Sequence, residues 1–159
     1  MKKLVLIRHG DYVDDMESAL SPLGVRQITG VANLLRGHIN GDKAHVLFST
    51  RRRATQSAEI IQTTLGLPGE PEKMLAVCDD SNSTMEEIMK LVRAYQDRVD
   101  VLVLVGHMEC CETFPEYFSE KVLGLNGRQA LNGWGIKKGQ AWVIDCQAKT
   151  MEHLKPAVA

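Results

Sequence analysis

The sequence predicts an α/β fold: a single-domain three-layer sandwich, with a mostly parallel central sheet, helices on both faces and an antiparallel edge strand. Three observations predict it. Two short runs, Leu4-Val5-Leu6-Ile7 and Val101-Leu102-Val103-Leu104-Val105, are apolar at every position, which suits strands covered on both faces. Segments of helical period alternate with runs of this kind. No internal repeat, low-complexity tract or linker divides the chain, so residues 1–159 are read as one domain, long enough for a sizeable core.

The first strand runs directly into Arg8-His9-Gly10. Parallel sheets take ligands outside the carboxyl ends of their strands, so a cation and an imidazole there make a candidate anion site with a candidate nucleophile. Gly10 permits a sharp turn or the close approach of a ligand. Residues 11–20 are polar and acidic and read as a loop. Ser21-Pro22 is a helix start, with serine as N-cap and proline in the first turn. Leu23, Ile28, Val31, Leu35 and Ile39 recur at helical spacing, which predicts a helix over 22–38 that Gly41 stops. His45 to Phe48 is the second strand, followed by Ser49-Thr50-Arg51-Arg52-Arg53 and a helix over 52–65 ended by Gly66 and Pro68. The arginines therefore fall at a second strand-to-helix junction, where first-turn amides favour an anion.

Residues 66–82 read as a surface connection with an extended piece around Leu75 to Cys78. Ser83-Thr84-Met85-Glu86 has the form of a capping box and predicts a helix from Ser83 to about Asp97. Val101 to Val105 ends in Gly106-His107, a second strand-to-histidine junction. Thr113 to Val122 is the next helical segment, its start restricted by Pro115. Gly124 to Gly139 is glycine-rich and reads as irregular, Gln140 to Asp145 as a strand, and Met151 to Leu154 as its hairpin partner or a loose tail.

A formal net charge of −1 supplies no global field for nucleic acid or a membrane surface, so neither is an expected partner. The apolar run before Arg8 is too short for a signal-peptide core or a membrane span. Cys78, Cys110, Cys111 and Cys146 form no CxxC pair and no disulfide framework, which points to reduced thiols and a cytoplasmic location. Adjacent Cys110 and Cys111 without a second pair make a poor zinc site, and neither metal nor cofactor is expected. His38, His45 and His153 fall outside the motifs and read as surface or structural residues, and Arg51 and Arg52 as solvated charges.

Alternating strands and helices place Arg8, His9, Arg53 and His107 at the carboxyl ends of neighbouring strands. This set suits phosphoryl transfer through nitrogen. A neutral imidazole attacks phosphorus in line and forms a phosphohistidine that water hydrolyses. Guanidinium groups grip the phosphoryl oxygens in forked geometry, and a protonated His107 adds a donor. Ser49, Gln27 and Gln56 read as supports of the pocket.

Here the chain resembles the histidine phosphatase superfamily, also called phosphoglycerate mutase-like. Arg8-His9-Gly10 matches its Arg-His-Gly signature, and Leu20 to Gln27, Leu-Ser-Pro-Leu-Gly-Val-Arg-Gln, resembles its Leu-Thr-x-x-Gly-x-x-Gln helix entry. Phe48 to Ile61 resembles its Ser-Pro-x-x-Arg-Ala-x-Gln-Thr-Ala block, an alignment that selects Arg53 from the arginine cluster. His107 after an apolar strand matches the second histidine. Thr50 stands where the family has proline, and Gly106 where serine is common.

The resemblance implies that His9 is the nucleophile and that Arg8, Arg53 and His107 form the phosphate pocket, with Gly10 and Ser49 beside the substrate. Mutases and acid phosphatases of the family draw a general acid from a longer mid-chain insertion, which this chain lacks. Asp11, Asp79, Asp80 and Glu109 are the candidates here. The short length and the Arg-His-Gly-Asp start resemble the SixA-type branch, which removes phosphate from phosphohistidine in signalling proteins. A phosphoramidate leaving group is readily protonated and needs less help from an acid. The expected function is a metal-independent phosphatase acting on a phosphohistidine-bearing protein or, next, on a phosphorylated small molecule such as a phosphomonoester. The rival from a different class is a catalytically silent phosphate-binding or regulatory module on the same fold. A phosphomutase ranks behind both, because it needs an enclosed site that excludes water.

Overall fold

In the computed structural model, which describes residues 1–131 and 135–158, the first apolar run is strand β1, Lys3–Arg8, lying inside a six-stranded sheet. The order of elements is β1, α1 (Pro22–Ile39), β2 (Ala44–Phe48), α2 (Arg52–Leu65), β3 (Gly69–Pro71), a 3-10 turn (Lys73–Ala76), α3 (Asn82–Tyr95), β4 (Val101–Gly106), α4 (Met108–Lys121), α5 (Gly127–Ala130), β5 (Ala141–Asp145) and β6 (Thr150–Leu154). The sheet order is β3-β2-β4-β1-β5-β6. Strands β3, β2, β4 and β1 are parallel, and the antiparallel edge is a hairpin of β5 and β6, so the 151–154 segment pairs and is no tail.

Side chains of a strand alternate between faces, and continuous apolar runs therefore feed two cores at once. Val5, Ile7, Val101, Val103 and Val105 pack with Ile28, Val31 and Leu35 of α1 and Ala54, Ala58 and Ile61 of α2. Leu4, Leu6, Leu102 and Leu104 pack on the other face with Met85 and Ile88 of α3 and Phe114 and Phe118 of α4. Both central strands are fully covered, which accounts for the absence of polar alternation in their sequences.

Three local readings need correction. The extended piece lies at Gly69–Pro71, while Leu75 belongs to the 3-10 turn. That strand carries no apolar pattern and is held by backbone bonds to β2, such as Glu72 N to Phe48 O at 2.7 Å. Ser81, not Ser83, caps α3: its hydroxyl accepts the Thr84 amide at 3.2 Å, and Asp79 accepts from both Ser81 and Thr84. The helix after His107 begins at Met108, five residues before Thr113, with His107 as N-cap and Pro115 inside it. Burial of Cys110, Cys111, Phe114 and Phe118 on one face outweighs the amide that Pro115 lacks. Within the glycine-rich 124–139 segment, residues 127–130 form the short α5, and residues 132–134 lie outside the described residues.

The turn after β1 is fixed by contact with α1. A side chain at Gly24 would strike the carbonyl oxygen of Asp11, and one at Gly10 would come within 2.7 Å of the Gly24 carbonyl oxygen. The two backbones touch just past the end of β1. Gly24→Ala is expected to cost about 2 kcal/mol or more, read as a lower urea midpoint. Gly37→Ala, with open space around it in the same helix, is expected to raise the midpoint.

Candidate active site

His9 and His107 follow β1 and β4, which pair in parallel with Arg8 opposite Gly106. The His9 amide donates to the Gly106 carbonyl at 3.1 Å, and the two imidazoles lie side by side with centroids 5.2 Å apart. Both are buried, at 4% and 3% exposure. Such burial disfavours the imidazolium form.

The His9 Nδ1 lies 2.9 Å from the Gly10 carbonyl oxygen. A carbonyl can only accept, so neutral His9 carries its proton on Nδ1 and leaves Nε2 with its lone pair. The Arg53 Nε–H points at that lone pair from 3.3 Å. Burial, and then the charges of Arg53, Arg8 and Lys138, bring His9 down to about 4 against the opposing pull of the Gly10 bond. His107 is brought down to about 3 by burial, by His9, and by Arg53, Arg51 and Arg8. The free site therefore holds both imidazoles neutral at pH 7, and a protonated His107 belongs only to a site that also holds an anion.

The surrounding bonds fix this geometry. Ser57 on α2 accepts the Gly10 amide at 3.1 Å, Gln27 on α1 accepts the Asp11 amide at 2.8 Å, and Gln56 accepts the Leu20 amide at 2.7 Å. Ser49, directly after β2, lies 2.7 Å from His107 Nε2 and accepts the Arg51 amide at 3.2 Å. His107 Nδ1 and Arg8 Nε are buried without a hydrogen-bond partner among the described residues. Helices α2 and α4 begin here, capped by Arg51 and His107 with no side-chain cap bond, so their first-turn amides add to a field that favours an anion.

The sequence-predicted residues Arg8, His9, Gly10, Ser49, Arg53 and His107 thus assemble at adjoining strand ends. The acid candidates do not form a comparable group. Asp80 is exposed in the loop before α3. The Asp11 carboxylate accepts the Ser21 hydroxyl at 2.7 Å and lies 3.8 Å from Lys138. Glu109 is half-buried in the first turn of α4. Arg52 pairs with Glu17 at 3.3 Å, and Arg51 reaches the Ala76 carbonyl at 3.3 Å, away from His9. His38, His45 and His153 have partners elsewhere, in Glu152, Glu70 and Gln140. Among the described residues no cluster of three His, Cys, Asp or Glu is arranged for a metal, and no helix is long and apolar enough to cross a membrane. A separate cleft of about 590 Å³ beside the β5–β6 hairpin, lined by Trp142, His153 and Lys155 among others, contains none of the site residues.

The family model of histidine phosphatase superfamily branch 1 matches residues 4–99. The chain belongs to the histidine phosphatase superfamily. No curated protein matches it by sequence. Solved histidine phosphatase-like structures share its fold over nearly the whole length. The protein assigned as phosphohistidine phosphatase SixA from Nakamurella multipartitia is 22% identical, with TM-score 0.77 and coverage of 99% of this chain and 97% of that one. The protein histidine phosphatase SixA complexed with tungstate is 20% identical, with TM-score 0.71 and 97% coverage of each chain. A mycobacterial glucosyl-3-phosphoglycerate phosphatase is 16% identical, with TM-score 0.68 and full coverage of both chains.

Two residues of this superfamily member escaped the sequence reading. Tyr12 sets its ring edge-on to His9 at 5.4 Å and carries the Arg53 guanidinium over its face at 4.6 Å. Lys138, also 4.6 Å from the Tyr12 centroid, comes from the irregular segment before β5. Tyr12 follows the signature directly and was legible as a neighbour; nothing in the sequence links it to a lysine so distant in the chain.

Because both histidines sit below their ordinary 6.5, the unfolded chain binds more protons than the folded one between 6.5 and about 4 for His9, and about 3 for His107. Their contribution to stability is full above pH 6.5 and shrinks as pH falls through that window. The urea midpoint is expected to fall between pH 6.5 and 4, and His107→Asn to flatten that fall. Identical slopes for the two proteins would refute the assignment.

Proposed function

We propose that this chain is a metal-independent phosphatase that works through a covalent phosphohistidine on His9 and removes phosphate from protein-borne phosphohistidine. The observation that carries the proposal is the state of His9: Nδ1 is tied to the Gly10 carbonyl, while Nε2 is neutral, unprotonated and beside Arg53.

In the proposed reaction the Nε2 lone pair attacks phosphorus in line, and the leaving group departs with the electron pair of its bond. Arg53 turns from Nε2 to the phosphoryl oxygens, where Arg8 and His107 join it. The unpartnered Arg8 Nε–H and the Nδ1 of His107 are suited to such oxygens, with the Ser49 hydroxyl donating to His107 Nε2. With Ser49 donating to Nε2, neutral His107 carries its proton on Nδ1 and presents that N–H to the phosphoryl oxygens as charge builds there. Water then hydrolyses the phosphohistidine and restores His9.

Two features support a protein substrate. The connection from α2 to α3 holds only β3 and a 3-10 turn, so no long insertion is available as a lid. The SixA structures share the fold from end to end. A small phosphomonoester is the second reading, favoured by the equally complete match to a glucosyl-3-phosphoglycerate phosphatase. A cytoplasmic location is part of the proposal, supported by four free thiols.

The test is phosphate release, with chelator present, from a chemically phosphorylated histidine phosphotransfer domain, compared with release from aryl phosphates. Wild type is expected to turn over and to yield an acid-labile, base-stable phosphoenzyme after rapid quench. His9→Ala is expected to lose at least about 10³-fold in turnover and all of the phosphoenzyme. Phosphate binding without turnover on any substrate would instead establish a silent binding module, and preference for small esters would overturn the protein substrate.

A further inference from the structure

A basic leaving group needs a donor on its side of phosphorus, and among the described residues no carboxyl bonds to His9, Arg53 or His107. Asp11 is engaged with Ser21 and Lys138, and Asp79 caps α3. The group best placed is a cation. Gly139, next to Lys138, donates its amide to the carbonyl oxygens of both Arg8 and His9, at 3.1 and 2.9 Å. The backbone carrying Lys138 is thereby fastened to the backbone of the proposed nucleophile.

The ammonium of Lys138 lies over Tyr12, 4.6 Å from the ring centroid, and its charge is felt at His9. Arg53 shares the same ring, also at 4.6 Å. The Lys138 side chain is 38% exposed, whereas His107 is buried and Arg8 half-buried. In-line attack from the buried Nε2 directs the leaving atom outward, to the rim that Lys138 occupies. A flexible four-carbon stem ending in three donors can reach there, and Asp11 at 3.8 Å holds it in reserve.

We propose, building on the phosphatase reading, that Lys138 is a catalytic residue that donates to the atom leaving phosphorus, and that Tyr12 is the positioning residue that sets Lys138 and Arg53 over His9. As the His9–phosphorus bond forms and the phosphorus–leaving-atom bond breaks, the electron pair departs on the leaving atom. An ammonium proton of Lys138 passes to it. Hydrolysis of the phosphohistidine releases dihydrogen phosphate, which returns one proton to Lys138, and the cycle closes with hydrogen phosphate and the protonated leaving group.

Help of this kind matters more as the leaving group becomes more basic, and a structural role has no such gradient. The experiment is kcat/KM for p-nitrophenyl, p-chlorophenyl and phenyl phosphate with wild type, Lys138→Ala, Lys138→Arg, Tyr12→Phe and Tyr12→Leu. Lys138→Ala is expected to lose about threefold on the nitrophenyl ester and about 10²-fold on the phenyl ester, with Lys138→Arg, which keeps the charge but does not give up its proton, falling between Lys138→Ala and wild type on the phenyl ester. Tyr12→Leu is expected to lose activity on all three esters, and Tyr12→Phe, which restores the ring that both cations share, to recover most of that loss. An equal loss across the series for Lys138→Ala, or a graded loss from Glu109→Gln in its place, would overturn the assignment. Wild type turning over none of the esters and no phosphohistidine protein would bring down the phosphatase reading, and this assignment with it.

Discussion

The parallel pairing of β1 with β4 is the constraint on which the site depends. Six residues of each strand are in register, ending with Arg8 opposite Gly106, and the ladder continues through the His9 amide to the Gly106 carbonyl. A slip of one residue would invert the facing of every side chain on the strand. Val5 and Ile7 would exchange cores with Leu4 and Leu6, whose partners lie on opposite sides of the sheet. The apolar runs that build the core are thus also what aligns two imidazoles at their ends.

Around that alignment the site gathers positive charge. Arg8, Arg53 and Lys138 all act on His9, and burial acts more strongly than any of them. The combination keeps the His9 imidazole neutral. Tyr12 eases the crowding of two cations by offering the face of its ring to both. In the proposed reaction a phosphoryl dianion entering such a field meets His9 and His107 rings already oriented by Gly10 and Ser49, on a turn fixed by Ser57 and Gly139.

How much of this was legible depended on the range of the interaction. Strands β1 and β4 were readable because unbroken apolar runs of their length have few other uses, and α1 because Ser21-Pro22 marks its start. The same local signals placed Arg8, His9, Arg53 and His107 at strand ends. Signals failed where one local cue opposed a longer pattern. Pro115 argued for a late helix start, yet the buried face from Cys110 to Phe118 carries α4 through it. Ser83 with Glu86 mimicked a cap two residues further on, and Ser81 was preferred because Asp79 ties it to Thr84. Strand β3, Gly-Glu-Pro, has no pattern to read. Lys138 was invisible because its place is set by Gly139 bonding to a strand more than a hundred residues away.

The two cores have a consequence for how the site holds together. The turn at His9 leans on α1 and α2 through Gly24, Gln27 and Ser57, whereas His107 is the N-cap of α4, whose buried face belongs to the opposite layer. Each half of the histidine pair is therefore braced by a different packed layer, and the sheet between them carries the candidate site at its end. Loosening either layer would misalign the pair while the other layer, and the sheet itself, stayed intact. In the proposed reaction, competence is a matter of registration between two packed layers that meet at one sheet.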